Sequence, residues 1–187
     1  AFTLLFHDTH HRAVTAPREI DAFELDAYDG VLAFGEALRD VYDRRGWGAR
    51  AVTWHEAADT ALFRPLAAEK TCDLIWVGNW GDGERAEELA RYLLRPASRL
   101  ERGGAVYRGW LPNHRVPEVF AAARVTVHVP RGPYTRELPG IPTIRMFEAL
   151  ACGIPLVSAP WSDVERLFPA DTYLRTDTEE DTTAALH

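Results

Sequence analysis

The segment Gly140–Ser158 sets one carboxylate, Glu148, at the start of a short apolar helix. Gly153 and Pro155 stop that helix, and a buried strand, Leu156–Ser158, follows at once. A loop, a helix N-terminus and a strand make up half of a doubly wound nucleotide site. Backbone N–H groups at such a helix start, here those of Thr143 and Ile144, favour phosphate. A carboxylate in the first turn can accept hydrogen bonds from a ribose diol, or simply be favoured by the helix dipole. Arg145, one turn before Glu148, is either a solvated helix-start residue or a diphosphate partner facing the same ligand. The turn Gly78-Asn79-Trp80-Gly81-Asp82-Gly83 lacks full GxGxxG spacing, yet it stands directly after a strand and before a helix, where Gly78, Asn79 and Gly81 can cradle phosphate. Arg85 follows it. Arg131 and Arg136 lie in a Pro/Gly loop, as charged surface residues or as phosphate and sugar contacts. These groups together point to a nucleotide-linked ligand.

A second cluster, His7, Asp8, His10 and His11, has metal-ligand residue types, but its spacing fits neither HExxH nor a zinc-finger pattern, and no metal site is expected. The six Trp are packing residues by default. Trp80 and Trp110 fall near the expected carboxyl edge of a sheet, where an aromatic ring can stack on a base or sugar.

Composition sets the outer bounds. At 187 residues the chain suffices for one domain or one and a half, and 47% hydrophobic with 26% charged residues is ordinary for a globular protein. The net charge of −7 argues against a general binder of nucleic acid or anionic membrane. Lys70 is the only lysine, so a phosphate clamp must be guanidinium or backbone. Cys72 and Cys152 have apolar neighbours and no CxxC spacing, and they read as buried free thiols of a reducing, cytoplasmic compartment. No apolar run approaches a membrane span of roughly 20 residues, and no signal peptide is seen. The chain opens at Ala1 with a strand under way and reads as a fragment or a processed chain.

Strands and helices alternate. Strands are expected at Phe2–Phe6, Gly30–Phe34, Ala51–Trp54, Asp73–Val77, Val106–Arg108, Val125–Val129 and Leu156–Ser158, and helices at Glu36–Arg45, Glu84–Leu94 and Val116–Ala123, besides the helix carrying Glu148. Continuous apolar strands separated by helices indicate a parallel sheet covered on both faces. Pro65 to Lys70 reads as a linker, dividing residues 1–66 from 67–187. The tail after Arg175 reads as frayed.

The order of these pieces resembles the two-domain GT-B glycosyltransferases, of the group-1-like family that includes spore-maturation-type enzymes. Tyr28–Gly35 with its helix is similar to the last strand–helix unit of that family's first domain. Thr53–Pro65 looks like the crossover, Leu74–Gly81 like the first strand and Gly-rich loop of the donor domain, and Gly109–Pro112 like a following unit. Phe147–Pro155 matches the signature. The resemblance implies an α/β, Rossmann-like doubly wound donor domain over 67–187, and a partial second α/β domain, a remnant of the acceptor side, over 1–66. It implies metal-independent transfer of a sugar from a nucleoside-diphosphate sugar to an unknown acceptor, with no separate cofactor. Glu148 would hold the ribose. Arg145, Arg85 and the Gly-rich loop would hold the diphosphate, with Arg131 and Arg136 as further contacts. His7 would face the cleft, with Asp8 as a base or orienting group; the alternative is a structural role, with His and Asp satisfying backbone groups of the loop. Three departures stand out. Relatives often carry an acid eight positions before Glu148, where this chain has Gly140; no Lys follows Arg85; and the 28 residues 78–105 have no room for a further strand–helix unit, so the donor sheet is expected to be one strand short. A nucleotide-sugar epimerase or phosphorylase on the same fold, or a non-catalytic nucleotide-sugar-binding module, are the rival readings.

Overall fold

The computed structural model describes residues 2–80, 83–100 and 109–187. In chain order its elements are β1 (Leu5–Asp8), α1 (Arg12–Thr15), α2 (Pro17–Asp21), β2 (Gly30–Ala33), α3 (Glu36–Arg45), β3 (Ala51–Thr53), β4 (Cys72–Ile75), α4 (Ala86–Leu89), α5 (Arg95–Ala97), α6 (Val116–Ala122), β5 (Ala123–His128), α7 (Gly132–Arg136), α8 (Ile144–Ala151), β6 (Leu156–Ser158), β7 (Leu174–Arg175) and α9 (Glu179–Leu186). A π turn, Ala90–Leu94, joins α4 to α5. The strand expected at Val106–Arg108 lies outside the described residues, as does Gly81. All strand pairings among the described residues are parallel, as continuous apolar strands between helices indicate.

The chain forms two compact units. The first comprises residues 1–56 with 132–142 and 162–167; the second comprises 57–131, 143–161 and 168–187. The first carries a sheet of order β1-β2-β3, the second one of order β4-β5-β6-β7. In the first unit Val31 and Ala33 of β2 and Leu38, Val41 and Tyr42 of α3 are buried with Tyr134, Leu138 and Ile141, which arrive from more than 80 residues later in the sequence. A Cβ on Gly35 would stand 2.4 Å from Ile141 Cγ1, so the smallest residue is what lets that later segment settle at the start of α3.

In the second unit the sheet is covered on both faces, and Leu156 and Val157, neighbours on β6, point to opposite ones. Ala123 and Leu156 pack with Val116 and Phe120 of α6 and Met146 and Ala149 of α8. Val125, Val127 and Val157 pack with Leu89 of α4 and Tyr92 and Leu93 of the π turn, and Leu186 of α9 joins them. Each fully buried side chain of this size contributes roughly 1.5–3 kcal/mol relative to exposure.

Three expectations are corrected. The first strand forms at Leu5–Asp8 rather than Phe2–Phe6, because pairing with Gly30–Ala33 sets its register; Phe2 is 88% exposed, and Asp8 is a strand residue. The tail after Arg175 is not frayed. Thr178 accepts the Asp181 N–H at 3.0 Å as the N-cap of α9, and Arg95 and Arg99 clamp Glu179 at 3.1 and 2.9 Å. Cys72 and Cys152 are free but only half-buried.

Gly153 ends α8 in the left-handed region (φ +69°), where its N–H donates to the Leu150 carbonyl at 3.0 Å and turns the chain into β6. A Cβ there meets nothing closer than 3.4 Å, so Gly153→Ala should cost only backbone strain, about 1–2 kcal/mol. Denaturant unfolding of the two proteins measures this, and equal midpoints would contradict the assigned turn.

Candidate functional site

In a parallel α/β sheet, ligands collect outside the carboxyl ends of the strands, and in a βαβ unit the next helix starts there. The second unit gathers most of the expected residues on the segments that leave those ends.

The carboxylate comes first. Glu148 is 2% exposed, and it is the fifth residue of α8 rather than a first-turn residue as expected, because the helix starts at Ile144, after Pro142 and an extended Thr143. The helix dipole fades beyond the first turn and no longer accounts for this acid. Side chains do: Arg145, one turn earlier, donates to Glu148 Oε2, and Asn113 Nδ2 donates to Oε1 at 3.3 Å. Arg145 also donates to Asn113 Oδ1 at 2.8 Å, closing a ring of three side chains. Thr143 caps the helix without a side-chain hydrogen bond, so the first-turn backbone of Ile144 and Arg145 keeps its positive character.

The Gly-rich turn follows β4. Gly78 leaves space for the Trp76 ring, which a Cβ would approach to 2.4 Å. Arg85 is only 7% exposed, donates to the carbonyls of Asn79 and Val129 (the latter at 3.1 Å) and stands 5.2 Å from the Trp76 ring centre. It thus ties the turn after β4 to the end of β5. Arg131 pairs with Glu84 at 2.9 Å in the same region. Trp80 is half-exposed, and Trp110 is 86% exposed, with its ring open to solvent.

The other expected residues belong to the first unit. Arg136 lies on α7. His7 is exposed on β1, whereas Asp8 is buried and accepts from the Tyr42 hydroxyl and the His10 N–H, both at 2.9 Å. Burial raises the Asp8 carboxyl above its ordinary range, against those two bonds. Asp8 therefore braces β1 against α3. Among the described residues no group of three or more His, Cys, Asp or Glu has an arrangement suited to a metal ion.

Two site groups escaped the sequence reading. Asn113 sits one residue beyond the matched segment Gly109–Pro112. His128 ends β5, and a polar residue closing an apolar strand was the available signal. The Ser158 hydroxyl donates to the Ala159 carbonyl at 2.8 Å, so His128 Nδ1 is the donor in its 2.9 Å bond to Ser158 Oγ. The imidazole is fully buried against Trp161. Burial first, then the neighbouring Arg85 guanidinium, pushes its pKa down to about 3.

A model of the glycosyl transferase-like family matches residues 47–187. None of the curated proteins matches. Among solved structures, a DNA-modifying β-glucosyltransferase, determined with and without uridine diphosphoglucose, shares 13% identity at a TM-score of 0.66 over 97% of this chain and 62% of that chain. A T4 phage β-glucosyltransferase in complex with UDP and Mn2+ shares 12% identity at a TM-score of 0.65, over 97% of this chain and 61% of that one. Anabaena HepE, in complex with UDP and glucose, shares 13% identity at 0.62, over 98% and 61%. Likeness at these identities speaks for the fold, and the fold is GT-B, as the sequence resemblance implied. The spore-maturation likeness is finer than any of these matches. The chain spans about three fifths of the length of each neighbour.

The buried His128 has a consequence for pH. Its folded pKa, about 3, lies below the ordinary 6.5, so between those values the unfolded chain binds a proton that the folded chain refuses. Stability therefore falls as pH drops below 6.5, at up to about 1.4 kcal/mol per pH unit from this group. The carboxyls of Asp8 and Glu165, raised chiefly by burial, act with the opposite sign, from their ordinary range upward. Unfolding measured from pH 7 to 5 should show this slope in the wild type and a flatter one in His128→Asn. Parallel slopes would contradict the buried neutral imidazole.

Proposed function

Because the chain belongs to the glycosyl transferase-like family, we propose that it carries the donor-binding part of an enzyme that transfers a sugar from a nucleoside-diphosphate sugar to an acceptor. The observation that carries this reading is the buried Glu148 carboxylate held by Arg145 at the start of α8. An acid and a guanidinium one turn apart suit a ribose and its diphosphate respectively. A carboxylate accepts from two hydroxyls, and a guanidinium beside helix-start N–H groups holds phosphate oxygens. The backbone of Thr143, Ile144, Gly78 and Asn79 would add donors. Arg85, already engaged with two carbonyls, would shape the Gly-rich turn, and Arg131 would border it. Residues 67–187 would form the donor-binding domain and 1–66 the acceptor side, with His7 as an exposed polar group there; Arg136, exposed on α7, would be a further contact.

Charge grows on the leaving diphosphate as the glycosidic bond breaks, so donors fixed there stabilise the transition state more than the ground state. The positive groups at this site are protein groups, and we take binding to be metal-independent, although a T4 phage neighbour holds Mn2+ with its UDP. Because UDP occurs in two of the neighbours, it is the first probe to use. The net charge of −7 favours an acceptor other than nucleic acid. No helix among the described residues is long and apolar enough to cross a membrane. The free thiols of Cys72 and Cys152 suit a reducing, cytoplasmic site of action. One observation favours a second reading, a nucleotide-sugar-binding module without turnover: Asp8, the expected base, is buried and bonded to Tyr42. Sugar transfer measured on the chain would exclude it.

Calorimetric titration with UDP tests the donor site. Glu148→Ala should keep the fold and lose about 1.5–3 kcal/mol of affinity, the size of a charge-assisted hydrogen bond, while EDTA leaves wild-type affinity unchanged. Equal affinity in a folded Glu148→Ala protein would remove the site. Binding abolished by EDTA would remove the metal-independent reading.

A further inference from the structure

We propose that Arg145 makes the site selective for nucleoside diphosphates over nucleosides, by an exchange of ion-pair partners. The inference rests on the reading that Glu148 holds the ribose. The Glu148 side chain is 3% exposed, and both its oxygens already accept hydrogen bonds, one from Arg145 and one from Asn113. Of those two partners, Arg145 is 31% exposed and Asn113 is exposed as well. A ligand diol reaches so buried a carboxylate by moving a side chain that covers it, and the guanidinium is the one whose lost bond a ligand phosphate can replace.

Displacement has unequal consequences for different ligands. A nucleoside that breaks the pair supplies neutral hydroxyls to Glu148 and leaves Arg145, and the Oδ1 of Asn113, without the bonds they had. Losing a charge-assisted bond is costly, and that loss opposes nucleoside binding. A nucleoside diphosphate breaks the same pair but offers Arg145 a phosphate in its place, at the start of α8 where anions are favoured. Asn113 stays on Glu148 throughout. Its amide is both donor and acceptor, so it can hold the carboxylate while Arg145 leaves. The ring of three side chains is thus closed in the free protein and opened by the ligand that can replace what it removes.

Two ways for Arg145 to matter are separable. If it only attracted phosphate, its removal would weaken UDP binding and leave uridine binding alone. If it also guards Glu148, its removal must strengthen uridine binding. The experiment titrates UDP and uridine into the whole chain carrying Arg145→Met, Arg145→Gln or Glu148→Gln, with thermal unfolding as the fold check. Arg145→Met should weaken UDP by 10-fold or more and tighten uridine by about 5-fold or more. Arg145→Gln retains a neutral donor to the carboxylate and protects the fold; it should move both affinities in the same directions by less. Uridine affinity that is unchanged or lower in folded Arg145 variants overturns the exchange. UDP affinity that is unchanged in Glu148→Gln overturns the underlying site instead, so the two failures are distinguishable.

Discussion

A carboxylate removed from water must be given hydrogen-bond donors, or its burial is prohibitive. Glu148 meets that condition with two side chains from different parts of the chain: Arg145 on its own helix, and Asn113 at the turn before α6. Much of the second unit can be understood from this requirement. Met146 and Ala149 direct one side of α8 into the core beneath β5 and β6, while Arg145 and Glu148 share the side that meets Asn113. Gly153 ends the helix within one turn of Glu148, so β6 can begin three residues later. The same ion pair that makes the burial tolerable is the one that the proposed exchange would open.

Around the ends of β4 and β5, buried polar groups brace one another in a similar way. The Arg85 fork bridges two backbone carbonyls that belong to different segments, a task a lysine cannot perform with the same geometry. Burial, and after it a cation so placed, keep His128 neutral, and its one N–H goes to Ser158. In the first unit Asp8 and Tyr42 form a comparable buried pair. Glu165 accepts the Glu36 N–H at 2.9 Å at the start of α3 and pairs with His55 at 3.1 Å, fastening residues 162–167 to that unit.

Periodicity and turn residues made most elements legible. Glu36–Arg45 and Leu156–Ser158 form over the residues expected, since Gly46, Gly153 and Pro155 mark their limits without help from distant contacts. What failed depended on such contacts. The register of β1 is set by Gly30–Ala33, and the order of α9 by Arg95 and Arg99, none of which composition near those elements announces. The same limit applies to the site. Glu148 and Arg145 were legible because one helix turn joins them. Asn113, 35 positions from Glu148, and the burial of Arg85 and Asp8 were not, because side-chain partners distant in sequence leave no local pattern.

Where a nucleotide's ribose lies decides whether Glu148 is a donor-site residue. A crystal structure of the chain with UDP measures this directly. We expect the 2′ and 3′ hydroxyl oxygens within hydrogen-bond distance, about 2.5–3.2 Å, of the Glu148 carboxylate, Asn113 still bonded to it, and the Arg145 guanidinium on the diphosphate. A nucleotide bound with its ribose away from Glu148, with the Arg145–Glu148 pair intact, would contradict the account.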